Sequence, residues 1–458
     1  MAALSERKIA IVKTLFAAAP DRVIGGLHSA LAEAAGDTAL ASVRRLVELE
    51  AAERSLRNVV LQPIAPLCMG ADADPMGLGF PAIALAYLWK GIKAIDPEGV
   101  KAAAQALYDY RPGESSPAAF DALVARAAEA IRAGEPREFA VVQDLCEQAR
   151  PGGGERFLLC LDLAPVVRWA TARLPDWTSH FGEDTTASAR LAYRDACAIV
   201  DDAGPTFFEM LAAQLPHPWM VLRIISAVMD RPTERYLRAT ELGGFPERVM
   251  NAIDQALRDI QGLDVDGGEA TAAAVAKIVE LVTLQIAEIE TCIDLGREQG
   301  WGQRLLKQKS ALASVVEGRI REAEKYVALA LPMQAARLQR VRRMLPRHTV
   351  SPDVRSVARA ATLLHFAQEI RSSANYGGFA SARGKMLEKV GDTLDQYVEE
   401  TLDLIKTGDC ENEDIAREHL AVVVEFSRLV RDEKAADLVR RRSAACQPNL
   451  PRAVGLNS

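Results

Sequence analysis

Aromatic side chains are scarce: 5 Trp, 8 Tyr and 12 Phe amount to 5% of 458 residues. That argues against a platform stacking nucleic-acid bases along its length. Cysteine is sparse as well. Cys68, Cys146, Cys160, Cys197, Cys292, Cys410 and Cys446 are scattered, odd in number and without a CxxC pair. A dense disulfide framework is excluded, and reduced thiols in a cytoplasmic protein are the expectation. Most should be small buried hydrophobes. The histidines, His28, His180, His217, His348, His365 and His419, form no HExxH zinc motif. No uninterrupted apolar run reaches the roughly 18 residues of a membrane span, so no transmembrane segment is expected. The first residues, Met1-Ala-Ala-Leu-Ser-Glu-Arg-Lys, read as the start of an amphipathic helix rather than a signal peptide.

Chemical motifs are missing too. Gly152, Gly153 and Gly154 are not followed by the Lys-Ser or Lys-Thr of a phosphate loop. They read as a flexible link before a helix at 156. Asp72 and Asp74 lack the further oxygen ligands and terminal Glu of a calcium loop, so a bent connection is the expected role. His180 and Asp184 sit in a loop-like stretch, and His217 lies between two prolines. Neither makes a catalytic unit. No nucleophile elbow is present. No cofactor and no metal ligand set is expected, and an enzyme is the less favoured class.

Helix formers are abundant. Ala, Leu, Arg and Glu dominate long stretches, Pro and Gly punctuate them, and sustained period-two alternation is rare. The expected fold is all-α: an irregular array of short helices over 1–260, with a subdivision near 151–154, followed by a bundle of longer antiparallel helices over 269–442. Residues 443–458 read as a flexible tail. Gln261 to Gly268 reads as a linker. Beyond it, Val275, Val279, Val282, Ile286, Ile289 and Ile293 recur at spacings of three and four, a stripe suited to packing against another helix. Leu387, Val390, Leu394, Tyr397, Thr401 and Leu404 make a second stripe, and Ile415 to Arg442 reads as one helix.

Charge is unevenly spread. The formal charge is −7, with 27 basic and 34 acidic residues in 1–260 and 28 of each in 261–458. Within the neutral half, Arg337, Arg340, Arg342, Arg343, Arg347, Arg355, Arg359 and Arg371 face only Asp353 and Glu369, a local charge of +6. Arg337, Arg340, Arg343 and Arg347 fall at helical spacing, and guanidinium groups match carboxylates. Arg337, Arg340, Arg343, Arg347, Arg355 and Arg359 are therefore the candidate partner-binding residues, for an acidic protein surface or peptide. A solvated face that meets the acidic first part of the chain is the plainer reading of the same residues. Nucleic acid and anionic lipid are less favoured partners, and the stripes allow self-association. The functional expectation is a cytoplasmic helical interaction or scaffold protein. The alternatives are an all-helical enzyme assembled from distant segments and a nucleic-acid-associated protein using 337–371.

Overall fold

A computed structural model describes residues 6–33, 40–68, 77–111, 117–179, 182–296, 300–335 and 344–447. The fold is all-α. The chain divides into two compact units: Met1–Pro232 with Thr240–Leu242, and Thr233–Ala239 with Gly243–Ser458. The division therefore falls before the 261–268 linker expected from sequence.

The first unit comprises α1 (Glu6–Ala18), α2 (Asp21–Glu33), α3 (Ala41–Val60), α4 (Ile83–Ile95), α5 (Pro97–Asp109), α6 (Ala118–Ala133), α7 (Arg137–Ala149), α8 (Gly153–Thr171), α9 (Leu174–Ser179), α10 (Glu183–Ile199), α11 (Ala203–Gln214) and α12 (Val221–Met229). Helix α8 is its centre, and α6, α7, α10 and α11 all pack against it. The sequence makes α8 apolar around its circumference, with Phe157, Leu161, Leu163 and Val167 all buried, as suits a helix surrounded by others. Arg168 is the polar exception. Its buried guanidinium donates to the carbonyls of Val59 and Val60 and pairs with Asp121 at 2.9 Å. It thus satisfies orphan carbonyls at the end of α3. Arg54 does the same for α1, donating to the carbonyls of Phe16 and Ala19.

Residues 151–154 are a tight corner where a flexible link was expected. Gly152 takes φ 73°, the left-handed region that favours glycine. The amides of Gly152 and Gly154 donate to the Glu147 carboxylate. A Cβ on Gly153 would strike the Cys146 carbonyl. The chain turns directly into α8, and α7 packs on it.

The second unit comprises α13 (Glu234–Arg238), α14 (Gly244–Gln261), α15 (Gly268–Cys292), α16 (Gly300–Ala330), a hairpin of β1 (Met333–Ala335) and β2 (Met344–Pro346), α17 (Val354–Glu369), α18 (Ala380–Thr407), α19 (Glu413–Val430) and α20 (Glu433–Ala445). Helix α17 packs against α15, α16 and α19. All six residues of the first apolar stripe are buried, so this face is internal packing. By length and composition α15 is apolar enough to cross a membrane. In the second stripe Val390, Leu394, Tyr397 and Thr401 are buried, while Leu387 and Leu404 are half-buried.

Two expectations need correction. Ile415 to Arg442 is two helices, because Asp432 starts a new one by accepting the Ala435 amide. The arginine segment does not continue as a helix through Arg347. Helix α16 ends at Ala330, and Met344–Pro346 pairs antiparallel with Met333–Ala335. Pro332 cannot supply a helical amide, which favours this break. Apart from this hairpin, one isolated bridge, Thr233 to Asp294, is the extended pairing among the described residues.

The segment at 233–239 joins the second unit through Glu234. Its buried carboxylate accepts the amides of Trp301 at 2.6 Å and of Gly296 and Gly302 at 3.3 Å. These include the free amides at the start of α16, which the carboxylate caps.

Candidate functional site

Three of the six candidate arginines, Arg337, Arg340 and Arg343, lie outside the described residues, as does Arg342. Arg347 follows β2 and is exposed, its Nε donating to Thr349 Oγ1 at 2.8 Å. Arg355 and Arg359 are on the first turns of α17 and share Asp266, in the turn between α14 and α15. Arg359 binds it two-pronged, Nε to Oδ1 at 2.7 Å and Nη2 to Oδ2 at 2.8 Å, and Arg355 reaches Oδ2 at 3.2 Å. Hydrogen bonds from Arg359 and then Arg355 hold the Asp266 carboxyl far below the usual carboxylate range. The Arg359 guanidinium also lies 5.4 Å from the Tyr326 ring centroid. These two arginines thus already have a partner within their own unit, and the predicted 261–268 linker is where that partner sits.

The other sequence candidates disperse. Asp72, Asp74 and His180 lie outside the described residues. His28 is exposed on α2, and His217 stacks on Trp219 with ring centroids 5.5 Å apart. The glycine amides at 152 and 154 are spent on Glu147. Phe379 is fully buried, while Tyr376 is half-exposed and its hydroxyl donates to Glu290. Among the described residues no group of three His, Cys, Asp or Glu side chains could hold a metal ion.

A polar cluster that no motif announced lies inside the second unit. His348 follows β2, Tyr397 and Thr401 sit one turn apart on α18, Cys410 is in the α18–α19 turn and His419 is on α19. Both histidines and both α18 side chains are buried. His348 Nε2 is 3.4 Å from Thr401 Oγ1, and its Nδ1 is 3.7 Å from Cys410 Sγ. The ring centroids of His348 and His419 are 5.7 Å apart, and Tyr397 lies 6.0 Å from one and 6.1 Å from the other. His419 Nδ1 is 3.0 Å from the Ile415 carbonyl, so that nitrogen carries the proton. His419 Nε2 and the Tyr397 hydroxyl are buried without a hydrogen-bond partner among the described residues.

The electrostatics keep this cluster neutral. Burial, and then the neighbouring His419, push His348 down to about 4. Burial also lowers His419 and raises the Cys410 thiol and the Tyr397 phenol. A thiol beside an imidazole backed by a hydroxyl has the order of a nucleophile, base and orienting group. Here, however, both members of the Cys410–His348 pair resist charging, so the thiolate–imidazolium form is disfavoured.

The first unit has buried thiols of a blander kind. Burial raises the Cys68 and Cys160 thiols and pushes Cys146 up to about 12, as expected of protonated core residues. None of the seven cysteines is in a disulfide.

The remaining surface feature is apolar. Ile11 and Leu15, one turn apart on α1, are 53% and 62% exposed; Val23 and Leu27 repeat this spacing on α2, and Leu49 is exposed on α3. Comparison with protein-family models, curated proteins and solved structures finds no match.

Proposed function

We propose that the protein is a helical interaction module, working in the cytoplasm, that docks partners through its surface rather than turning over a substrate. The observation that carries this reading is the exposed apolar ridge of the first unit, with Ile11 and Leu15 on α1 and Val23 and Leu27 on α2. Isolated exposed apolar residues are common, but a pair one turn apart on each of two helices makes the kind of face a partner helix covers. Seven cysteines without a disulfide among them agree with a reducing compartment. An acidic protein surface or peptide is the partner proposed for the arginine segment, and Arg347 and Arg355 are exposed among its described members, Arg355 in contact with Asp266. Self-association through the ridge is the nearest variant, and nucleic acid or anionic lipid are less favoured ligands.

The enzyme reading draws on one observation, the 3.7 Å approach of Cys410 Sγ to His348 Nδ1. Neutrality of both groups weighs against it. The two readings separate by quantitative co-purification from cytosol. The variant pair Ile11→Asp with Leu15→Asp should lose partners that Cys410→Ser retains, with unchanged helical circular dichroism. Equal recovery with all variants would remove the ridge from the proposal. Triple replacement of Arg340, Arg343 and Arg347 by Glu tests the basic segment, and partner binding through it should weaken with salt.

A further inference from the structure

The geometry points to an acid-sensitive latch: His348 and His419, packed close together, hold the β1–β2 hairpin against α18 while both rings are neutral, and protonation releases it. The latch rests on the cluster itself and is independent of what the first unit binds.

The geometry gives each ring a reason to refuse a proton. His419 donates through Nδ1 to the Ile415 carbonyl, and its Nε2 is buried with no partner among the described residues. A proton on Nε2 would bury an N–H with no acceptor and a charge with no counterion. Among the described residues, the His348 nitrogens touch Thr401 and Cys410, two neutral groups. With the ring centroids 5.7 Å apart, charging one histidine also opposes charging the other.

The surrounding charges relieve this only in part: Glu418 favours a proton on His419, but less than burial opposes it. From α18 the titratable side chain facing His348 is Tyr397, and from the α18–α19 turn it is Cys410. Glu413 and Glu411 act on that thiol, and Glu418 acts on His419. Arg347, from the segment of His348 itself, turns to Thr349. No carboxylate hydrogen-bonds either ring among the described residues.

The mobile partner is His348. His419 is fixed within α19, whereas His348 is two residues beyond the end of β2 and precedes the Asp353 cap of α17. The hairpin is short, with three register pairs and one further bond from the Arg347 amide to the Pro332 carbonyl. Strand β2 packs on α18, so seating His348 against Thr401 and Cys410 is a main anchor of the pair. Imidazole protonates near pH 6.5 once exposed. Release therefore couples proton uptake to detachment of the hairpin, with the buried α18–α19 pair left in place.

Hydrogen exchange of the full chain at pH 7.5 and pH 5, corrected for intrinsic rates, tests this. Amides in 344–350 should lose protection by at least about tenfold, the factor of one imidazole pH unit, and by clearly more than α15 amides, which follow the global stability. His348→Gln should make exchange in 344–350 nearly independent of pH, and His365→Gln, whose ring lies 3.9 Å from the Glu269 carboxylate, should leave the pH dependence intact. Should His348→Gln fail to fold, the wild-type comparison still decides. Unchanged protection in 344–350 at pH 5, or equal loss across α15 to α19, would overturn the latch.

Discussion

At the residue scale, buried polar groups have defined jobs. Arg168 donates to two carbonyls at the end of α3 and pairs with Asp121. Arg168→Met would retain much of the packing and strand those acceptors, which should cost roughly 2–4 kcal/mol in denaturant unfolding. The Glu234 carboxylate, which takes three amides around the start of α16, should behave alike on Glu234→Ala. The histidine cluster gives a pH dependence with a definite sign. Unfolded, His348 takes up its proton near the ordinary value of about 6.5; folded, it resists until about 4. The unfolded state therefore binds more protons in that window, and stability is lost as pH falls through it. The loss should approach about 3 kcal/mol for this group. Urea midpoints measured from pH 7 to pH 4 would show it, and His348→Gln should flatten the curve.

Element by element, hydrophobic spacing carried most of the information. The stripe from Val275 to Ile293 is legible because a helix returns a residue to one face every three or four positions, and all six positions are buried. Val282→Asp or Ile289→Asp should therefore lower stability by several kcal/mol, in the range of severe core lesions. The hairpin was not legible. Each strand is three residues long, too short for alternation to register, and arginines at helical spacing mimic a helix face. Nor did the break at Arg431 stand out, because Asp432 is a cap only if the chain turns there. Asp432→Ala should cost about 1 kcal/mol. The polar cluster was hidden for a different reason. Residues 348, 397, 401, 410 and 419 share no motif, and only Tyr397 with Thr401 shows a helical spacing. Tertiary packing brings the rest together.

For the whole molecule, the Gly and Asp punctuation at 261–268 resembles a domain linker, yet Asp266 there ties down Arg355 and Arg359. Helix α14 buries Phe245, Val249, Met250 and Ile253 and packs against α15 and α16. Residues 261–268 should accordingly resist limited proteolysis. A fragment beginning at 233 should be more stable than one beginning at 269, which lacks α14, Asp266 and Glu234. The proposal of an interaction module turns on the apolar ridge of the first unit, and site-directed photo-crosslinking in the native cytosol tests it most directly. A photoreactive residue in place of Leu15 should give a discrete, saturable adduct that Ile11→Asp abolishes, while the same probe at Tyr108, 82% exposed on α5, gives none. Indistinguishable labelling at the two positions would contradict it.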